Sequence, residues 1–209
     1  MENEPGAAVV SYVNCSAAVK ALSDIICTSS NAARVVMSIP EGRRIVFAPD
    51  RHLGRYIIKK TGRDMILWPG TCQVHEVFSE KKIVQLKVRH PGAKVAAHPE
   101  CDQRVLDVAD HVGSTSSLLQ FVQDDPAREF IIVTEPGIIH QMEKAAPGKT
   151  VLPAPVEGAC EACATGPHMK RNTVETLYLC LRDRTPEVTV PEEIRVKALV
   201  PIERMLALG

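Results

Sequence analysis

The stretch Ala8-Val9-Val10-Ser11-Tyr12-Val13 reads as a buried strand, and Asn14 closes it on a polar group. Its counterpart is Lys94-Val95-Ala96-Ala97, a second apolar strand that closes on His98-Pro99-Glu100. Asn14 and Glu100 stand 86 residues apart. The same spacing recurs in the neighbouring loops. Ser29 in Cys27-Thr28-Ser29-Ser30 matches Thr115 in Gly113-Ser114-Thr115-Ser116, again at 86. Asp50 at the end of Phe47-Ala48-Pro49-Asp50 matches Glu135 at the end of Ile132-Val133-Thr134-Glu135, at 85. Thr61-Gly62 falls opposite Pro147-Gly148, and Cys72 lies 88 residues before Cys160. A fixed long period of this kind marks a duplicated structural unit.

Between these landmarks, short β-rich runs alternate with helical patterns. In the first copy Ser16 caps an expected helix over Ala17 to Ile25, and Arg44 to Ala48 and Met65 to Trp68 read as strands. In the second copy a helix is expected over Asp102 to Ala109, a strand over Glu129 to Val133, a helix over Gly137 to Ala145 and a strand over Thr150 to Leu152. The alternation predicts an α/β fold of two repeated three-layer αβα domains with parallel sheets. The expected boundaries are 7–73 for the first repeat and 74–171 for the second, which carries a cysteine loop. A helical segment over 172–209 departs from the repeat and packs back on it. That segment offers a helix over Asn172 to Leu181, a short strand over Glu187 to Val190 and a last helix from Pro191-Glu192-Glu193. Ile194, Ala198, Ile202 and Leu206 form one face of the last helix.

The 209 residues suffice for two such cores. Lys and Arg number 25 against 25 Asp and Glu, so net charge gives no pull toward nucleic acid or an acidic membrane. No apolar run approaches the roughly 20 residues of a membrane helix, and Met1-Glu2-Asn3-Glu4 lacks the basic and apolar regions of a signal peptide. The expected location is cytoplasmic. Seven cysteines are then thiols rather than disulfides.

In open α/β sheets ligands bind beyond the carboxyl ends of the strands. Tyr12, Val13 and Asn14 sit at one such end, and His98, Pro99 and Glu100 at another. The loops around Ser29 and Thr115 both precede helices, and their hydroxyls and N–H groups suit a carboxylate or phosphate. Glu100 and His98, separated by a rigid proline, are the acid–base candidates. Cys72 lies in the loop Trp68-Pro69-Gly70-Thr71-Cys72-Gln73-Val74-His75-Glu76, where two readings are open, a packed thiol and a metal ligand. His75 is either a further ligand or the support of a turn. Cys160-Glu161-Ala162-Cys163 is a redox pair, half of a metal site or, with His168, a zinc site. Cys15, Cys27, Cys101 and Cys180 read as structural, at helix starts or inside helices. Neither a Gly-x-Gly-x-x-Gly turn nor a phosphate-binding Gly-Lys-Ser/Thr loop is present. Thiolates converging from separate loops are the ligand set of an iron–sulfur cluster.

Taken together, these motifs resemble the quinolinate synthase family. The resemblance is carried by Tyr12-Val13-Asn14, Cys27-Thr28-Ser29-Ser30-Asn31-Ala32, Pro49-Asp50-Arg51-His52-Leu53-Gly54 and the Cys72 loop. It continues through His98-Pro99-Glu100-Cys101, Gly113-Ser114-Thr115-Ser116, Thr134-Glu135-Pro136-Gly137 and Met169-Lys170-Arg171-Asn172-Thr173. The resemblance implies three αβα domains in approximate threefold symmetry around a [4Fe–4S] cluster, with one cysteine from each domain. It implies condensation of iminoaspartate with dihydroxyacetone phosphate to quinolinate, a precursor of NAD, with the cluster as Lewis acid. By motif, Cys72 is a cluster ligand. Tyr12, Val13, Asn14, Ser29, His98, Pro99, Glu100 and Thr115 line the substrate site, with Glu100 moving protons beside Tyr12 and His98. The partners implied are the two small-molecule substrates and a separate N-terminal domain, with no nucleic acid and no membrane.

The sequence departs from the family pattern in two ways. Only two of the three copies are matched, so a third is expected in front. The position of the last ligand cysteine, three residues before Met169, is Gly166, and Cys163 is the nearest replacement, with Cys160 further off. A non-catalytic relative that binds a dicarboxylate or a partner subunit is therefore the second expectation. Loss of one domain is expected to expose an apolar interface and to drive self-association.

Overall fold

The structure is a computed structural model and describes residues 4–157 and 164–209. The first unit runs β1 (Ala8–Tyr12), α1 (Ala17–Lys20), β2 (Ile25–Cys27), α2 (Ala32–Ser38), β3 (Ile45–Phe47), α3 (Arg51–Thr61) and β4 (Ile66–Leu67). After α4 (Glu80–Arg89), the second unit runs β5 (Lys94–Ala97), α5 (Gln103–Asp107), β6 (His111–Val112), α6 (Thr115–Asp124), β7 (Glu129–Val133), α7 (Ile139–Ala145) and β8 (Thr150–Pro153). α8 (Val174–Asp183) and α9 (Glu192–Ala207) follow.

The two sheets are copies of one another. Their strand orders are β2-β1-β3-β4 and β6-β5-β7-β8, and every described pairing within them is parallel. Register repeats as well. Val10 pairs with Ile25 and Phe47, and Ala96 pairs with His111 and Ile132. Both faces of each sheet carry helices, which is why the central strands are apolar runs rather than alternating ones. Ile26, Phe47, Leu53 and Ile57 fill the first core, and Val95, Leu118, Phe130, Ile131 and Ile132 the cores on either face of the second sheet.

A device missed in the sequence fixes the same corner of both units. Asp24 accepts the Val9 N–H at 2.9 Å, and Asp110, 86 residues on, accepts the Val95 N–H at 2.8 Å. Each main-chain N–H is returned to the same strand residue's carbonyl, Asp24 to Val9 and Asp110 to Val95. The aspartates thus dock the edge strands β2 and β6 onto the central strands.

Four local expectations are corrected. The helix after Ser16 stops at Lys20, because the buried Ile25-Ile26-Cys27 run pairs with β1 as an edge strand. Cys27 is therefore a buried strand residue, neither in a loop nor in a helix. Glu187 to Val190 is not a strand: prolines flank it, Val188 is exposed, and it belongs to neither described sheet. On α9 the buried residues are Ala198, Pro201 and Met205, while Leu206 faces out.

The helix returns to the first unit, against α1 and β2. Arg204 donates to the Asp24 carbonyl at 2.8 Å and Arg34 to the Leu208 carbonyl at 2.8 Å. α8 begins with a capping box between Thr173 and Thr176, yet none of its residues is buried. No helix among the described residues is long and apolar enough to cross a membrane.

Candidate functional site

The carboxyl ends of β1, β3, β5 and β7 converge between the two units on a cavity of about 690 Å³. Tyr12 and Asn14 reach it from β1, Pro49 and Asp50 from β3, His98 and Glu100 from β5, and Thr134 and Glu135 from β7. Thr115 adds the first turn of α6. Duplication thus brings the polar strand ends, far apart in sequence, onto one wall.

Cys72 enters this cavity from the loop after β4, and α3 holds that loop. Asp50 caps α3, with Oδ1 accepting the Leu53 N–H at 2.8 Å, and its Oδ2 accepts the Cys72 N–H at 2.7 Å. The Arg51 N–H donates to the Gly70 carbonyl at 2.9 Å, and His52 Nε2 lies 2.6 Å from Glu76 Oε1. Burial raises the Asp50 carboxyl pKa, opposed by the N–H groups of Leu53 and Cys72. Its repeat mate Glu135 caps the turn before α7 in the same manner, with Oε2 accepting the Gly137 N–H at 2.7 Å. Lys170 Nζ lies 3.0 Å from Glu135 Oε1 and is the one Lys or Arg among the described lining residues.

Glu100 is buried, and two imidazoles approach one of its oxygens. His75 Nδ1 lies 3.1 Å from Glu100 Oε2, and His98 Nδ1 lies 3.8 Å from the same oxygen. The rings stack, with centroids 4.5 Å apart and planes 13° from parallel. The Glu100 N–H donates to His98 Nδ1 at 3.3 Å, which makes that nitrogen an acceptor and leaves the proton on Nε2. Burial, and then the neighbouring His75, push the His98 pKa down to about 4, so this ring is neutral. His75 behaves oppositely. Burial alone would lower it, but the Cys72 sulfur and the Glu100 carboxylate outweigh burial and raise it to about 9. Glu100 is likewise opposed by burial, yet His75, His98 and Cys72 hold its carboxyl below the usual range. Burial and the Glu100 charge push the Tyr12 phenol up, so it stays a proton donor, with Ser29 beside its hydroxyl.

Cys72, His75 and Glu100 are the group among the described residues with metal-ligand atoms in mutual reach, all within 4.8 Å of one another. His75 Nε2 is paired with Thr134 Oγ1 at 3.1 Å. His75 Nδ1 is buried and faces Glu100 Oε2.

Of the residues expected from sequence, Tyr12, Asn14, Cys72, His98, Glu100 and Thr115 line the cavity. Ser29 and Pro99 line a smaller adjoining pocket of about 120 Å³, beside Lys60 and Ser114. Val13 packs against the first core instead. Cys160 and Cys163 lie outside the described residues, and His168 is exposed. Gly166 is packed against Met169, whose sulfur would lie 3.1 Å from a Cβ placed there. Cys101 is buried, with Sγ 3.6 Å from the Val133 carbonyl. Cys180 is exposed on α8.

Sequence reasoning left His75 undecided and did not select Asp50, Thr134, Glu135 or Lys170 as site residues. The usable signals were the Cys-x-x-His spacing from Cys72 to His75 and the repeat match of Asp50 with Glu135.

The family model described as Quinolinate synthetase A protein matches residues 1–207. Quinolinate synthase of a Synechococcus strain is 58% identical over 205 residues, covering 98% of this chain and 64% of the relative. Quinolinate synthases of Microcystis aeruginosa and Chloroherpeton thalassium are each 57% identical over 205 residues, with the same coverage of 98% and 64%. The chain therefore spans a little under two thirds of the length of these relatives.

Proposed function

This chain belongs to the Quinolinate synthetase A protein family, and we propose that it forms the larger part of a cytoplasmic quinolinate synthase. In this reading it condenses iminoaspartate with dihydroxyacetone phosphate, together with a further αβα domain supplied on its N-terminal side. The observation that carries the reading is the wall of Tyr12, Cys72, His98, Glu100 and Thr115 at the carboxyl ends of two duplicated sheets.

The [4Fe–4S] cluster implied by the family fits this wall at one corner. A half-buried thiol, Cys72, projects into a cavity of about 690 Å³ on a loop held through its own N–H by Asp50. Cys72 would hold one iron, and Cys163, outside the described residues, is our choice for a second. When bound, such a cluster supplies a Lewis acid for dehydration and ring closure.

The residues of the chain do the rest. Glu100, held ionised, accepts a proton from substrate and returns it. Tyr12 and the Nε2–H of neutral His98 donate hydrogen bonds to substrate oxygens. Thr115, and Ser29 next to the Tyr12 hydroxyl, hold carboxylate or phosphate oxygens with the main-chain N–H groups beside them. Lys170 adds a cation for two anionic substrates.

Anaerobic reconstitution with iron and sulfide, with and without a separately supplied αβα domain, tests the reading. Iron and sulfide in matched amounts, with a broad visible absorption lost in Cys72→Ser, are expected. Metal-free protein under both conditions would contradict it.

A second reading has its own support in the span of 64% and in the single described cavity thiol. It makes the chain a non-catalytic binder of a dicarboxylate or a partner subunit. Calorimetry with an iminoaspartate analogue separates the two. Binding with no iron uptake under reconstitution favours the second.

A further inference from the structure

We propose that Thr134 is a positioning residue for the reaction: its hydroxyl selects the orientation of the buried His75 ring, and that ring aims the Glu100 carboxylate. This deepens the proposed function and rests on the reading of Glu100 as its base.

The ring is clamped on its faces but not about its own axis. His98 stacks on it, with centroids 4.5 Å apart and planes 13° from parallel. Phe78 lies against it at 6.3 Å, tilted by 41°. Such packing fixes the plane of an imidazole. It does not separate the two orientations related by a half-turn about the Cβ–Cγ bond, because that torsion is close to twofold for histidine and the ring outline is nearly the same in both. Apolar contact alone therefore cannot decide which edge of His75 meets Glu100.

The hydroxyl of Thr134 decides it. Thr134 follows β7 directly and is 5% exposed. Its Oγ1 lies 3.1 Å from His75 Nε2, a buried contact between residues 59 apart in the chain. A half-turn of the ring would put a carbon opposite that hydroxyl and leave a buried polar group unpaired, which costs about 1–3 kcal/mol. One orientation is thereby held, and in it His75 Nδ1 stands 3.1 Å from Glu100 Oε2.

The other imidazole cannot do the same. His98 Nδ1 accepts the Glu100 N–H at 3.3 Å and lies 3.8 Å from Glu100 Oε2, so it has no proton to turn toward that oxygen. Of the two rings near the carboxylate, His75 is the one whose edge can hold it. A base displaced by about 1 Å loses on the order of 10²-fold in rate, so the hydroxyl of a threonine that moves no proton itself bears on turnover.

The test uses the full chain, reconstituted with iron and sulfide and supplied with the separate αβα domain. Thr134→Val keeps the outline of the side chain and removes the hydroxyl, whereas Thr134→Ser keeps the hydroxyl. Thr134→Val should lower kcat about 10–100-fold, with KM within about twofold and iron content unchanged. Thr134→Ser should recover most of kcat. The Cys72 sulfur lies in the same group as His75 and Glu100, within 4.8 Å, so iron is read alongside turnover. An unchanged kcat in Thr134→Val, an equal loss in both variants or a matched loss of iron would each overturn the proposal. A second measurement needs no turnover. In the cluster-free chain labelled with ¹³C-glutamate, the side-chain carboxyl resonance of Glu100, assigned with Glu100→Gln, should move in Thr134→Val and return in Thr134→Ser. A resonance that stays in place in Thr134→Val overturns the proposal even where quinolinate forms. A resonance that moves as expected, in a chain that forms no quinolinate, supports the contact and counts against the enzyme reading alone.

Discussion

Glu100 illustrates how one carboxylate is prepared from both units at once. Its strand end comes from β5, its neighbouring imidazole His75 from the loop after β4, and the phenol of Tyr12 from β1. Burial alone would favour its protonated form, and the two histidines reverse that. Glu100→Gln keeps the volume and removes the base, so quinolinate formation in the complemented system should fall by about 10²–10⁴-fold while iron content is unchanged. A discontinuous assay of quinolinate alongside iron analysis checks this, and equal loss of iron would assign Glu100 a structural role instead. Glu100 and His98 were legible in the sequence because a strand end with a rigid proline is a local pattern. His75 was not, since what qualifies it is Thr134, 59 residues further on. No reading of the loop alone supplies that partner.

Elements repeat as faithfully as residues, and two of them can be tested directly. Asp24 and Asp110 each hold an edge strand to a central one. Burial works against their charge. The Val9 N–H and Arg43 outweigh it at Asp24, and the Val95 N–H with Lys87 and Lys94 does so at Asp110. Both folded pKa values are therefore depressed. The stability they contribute is present above the ordinary carboxylate range and is lost as pH falls through the depressed values, below about 4. Both side chains are partly solvated, so Asp24→Asn or Asp110→Asn should cost only about 0.5–1 kcal/mol at neutral pH and flatten the acid limb. Urea unfolding midpoints between neutral and acid pH measure this, and an unchanged acid limb in the double variant would sink it.

Gly54 marks a second close approach, between α3 and β4. A Cβ there would lie 2.5 Å from Leu67 Cδ2 and 3.1 Å from Phe47 Cδ1. Gly54→Ala should destabilise the first unit by about 1–3 kcal/mol, read from a thermal or denaturant midpoint. An unchanged midpoint would show that α3 can lift off the sheet freely. The central strands and most helices were legible from apolar runs and caps. The edge strands β2 and β6 were not. They are only three and two residues long, and tertiary pairing rather than pattern makes them strands.

At the scale of the whole molecule, α8 leaves an apolar face uncovered among the described residues. Val174, Leu177, Tyr178 and Leu181 fall on one face of α8 at helical spacing, and all are exposed, Val174 at 87% and Leu181 at 72%. A capped helix with an uncovered apolar face fits a chain that spans 64% of its relatives' length. The isolated chain should self-associate in a concentration-dependent way, and Leu177→Glu with Leu181→Glu should shift it toward monomer in sedimentation experiments. A monodisperse wild-type monomer at high concentration would contradict this. Twofold repetition, sheet order and the place of the cavity were legible from the 86-residue period, because topology follows from strand and helix order. The exposure of α8 was not, because its apolar spacing reads the same on a buried helix.

The central claim is that two duplicated units supply Cys72 and Glu100 to a quinolinate-forming site completed by a third. Its most direct measurement is quinolinate produced from iminoaspartate and dihydroxyacetone phosphate by the anaerobically reconstituted chain, with and without a separately supplied αβα domain. The account predicts product only with that domain present, and none with Cys72→Ser or without iron and sulfide. No product in the complemented mixture, from protein shown to carry a cluster, would contradict it.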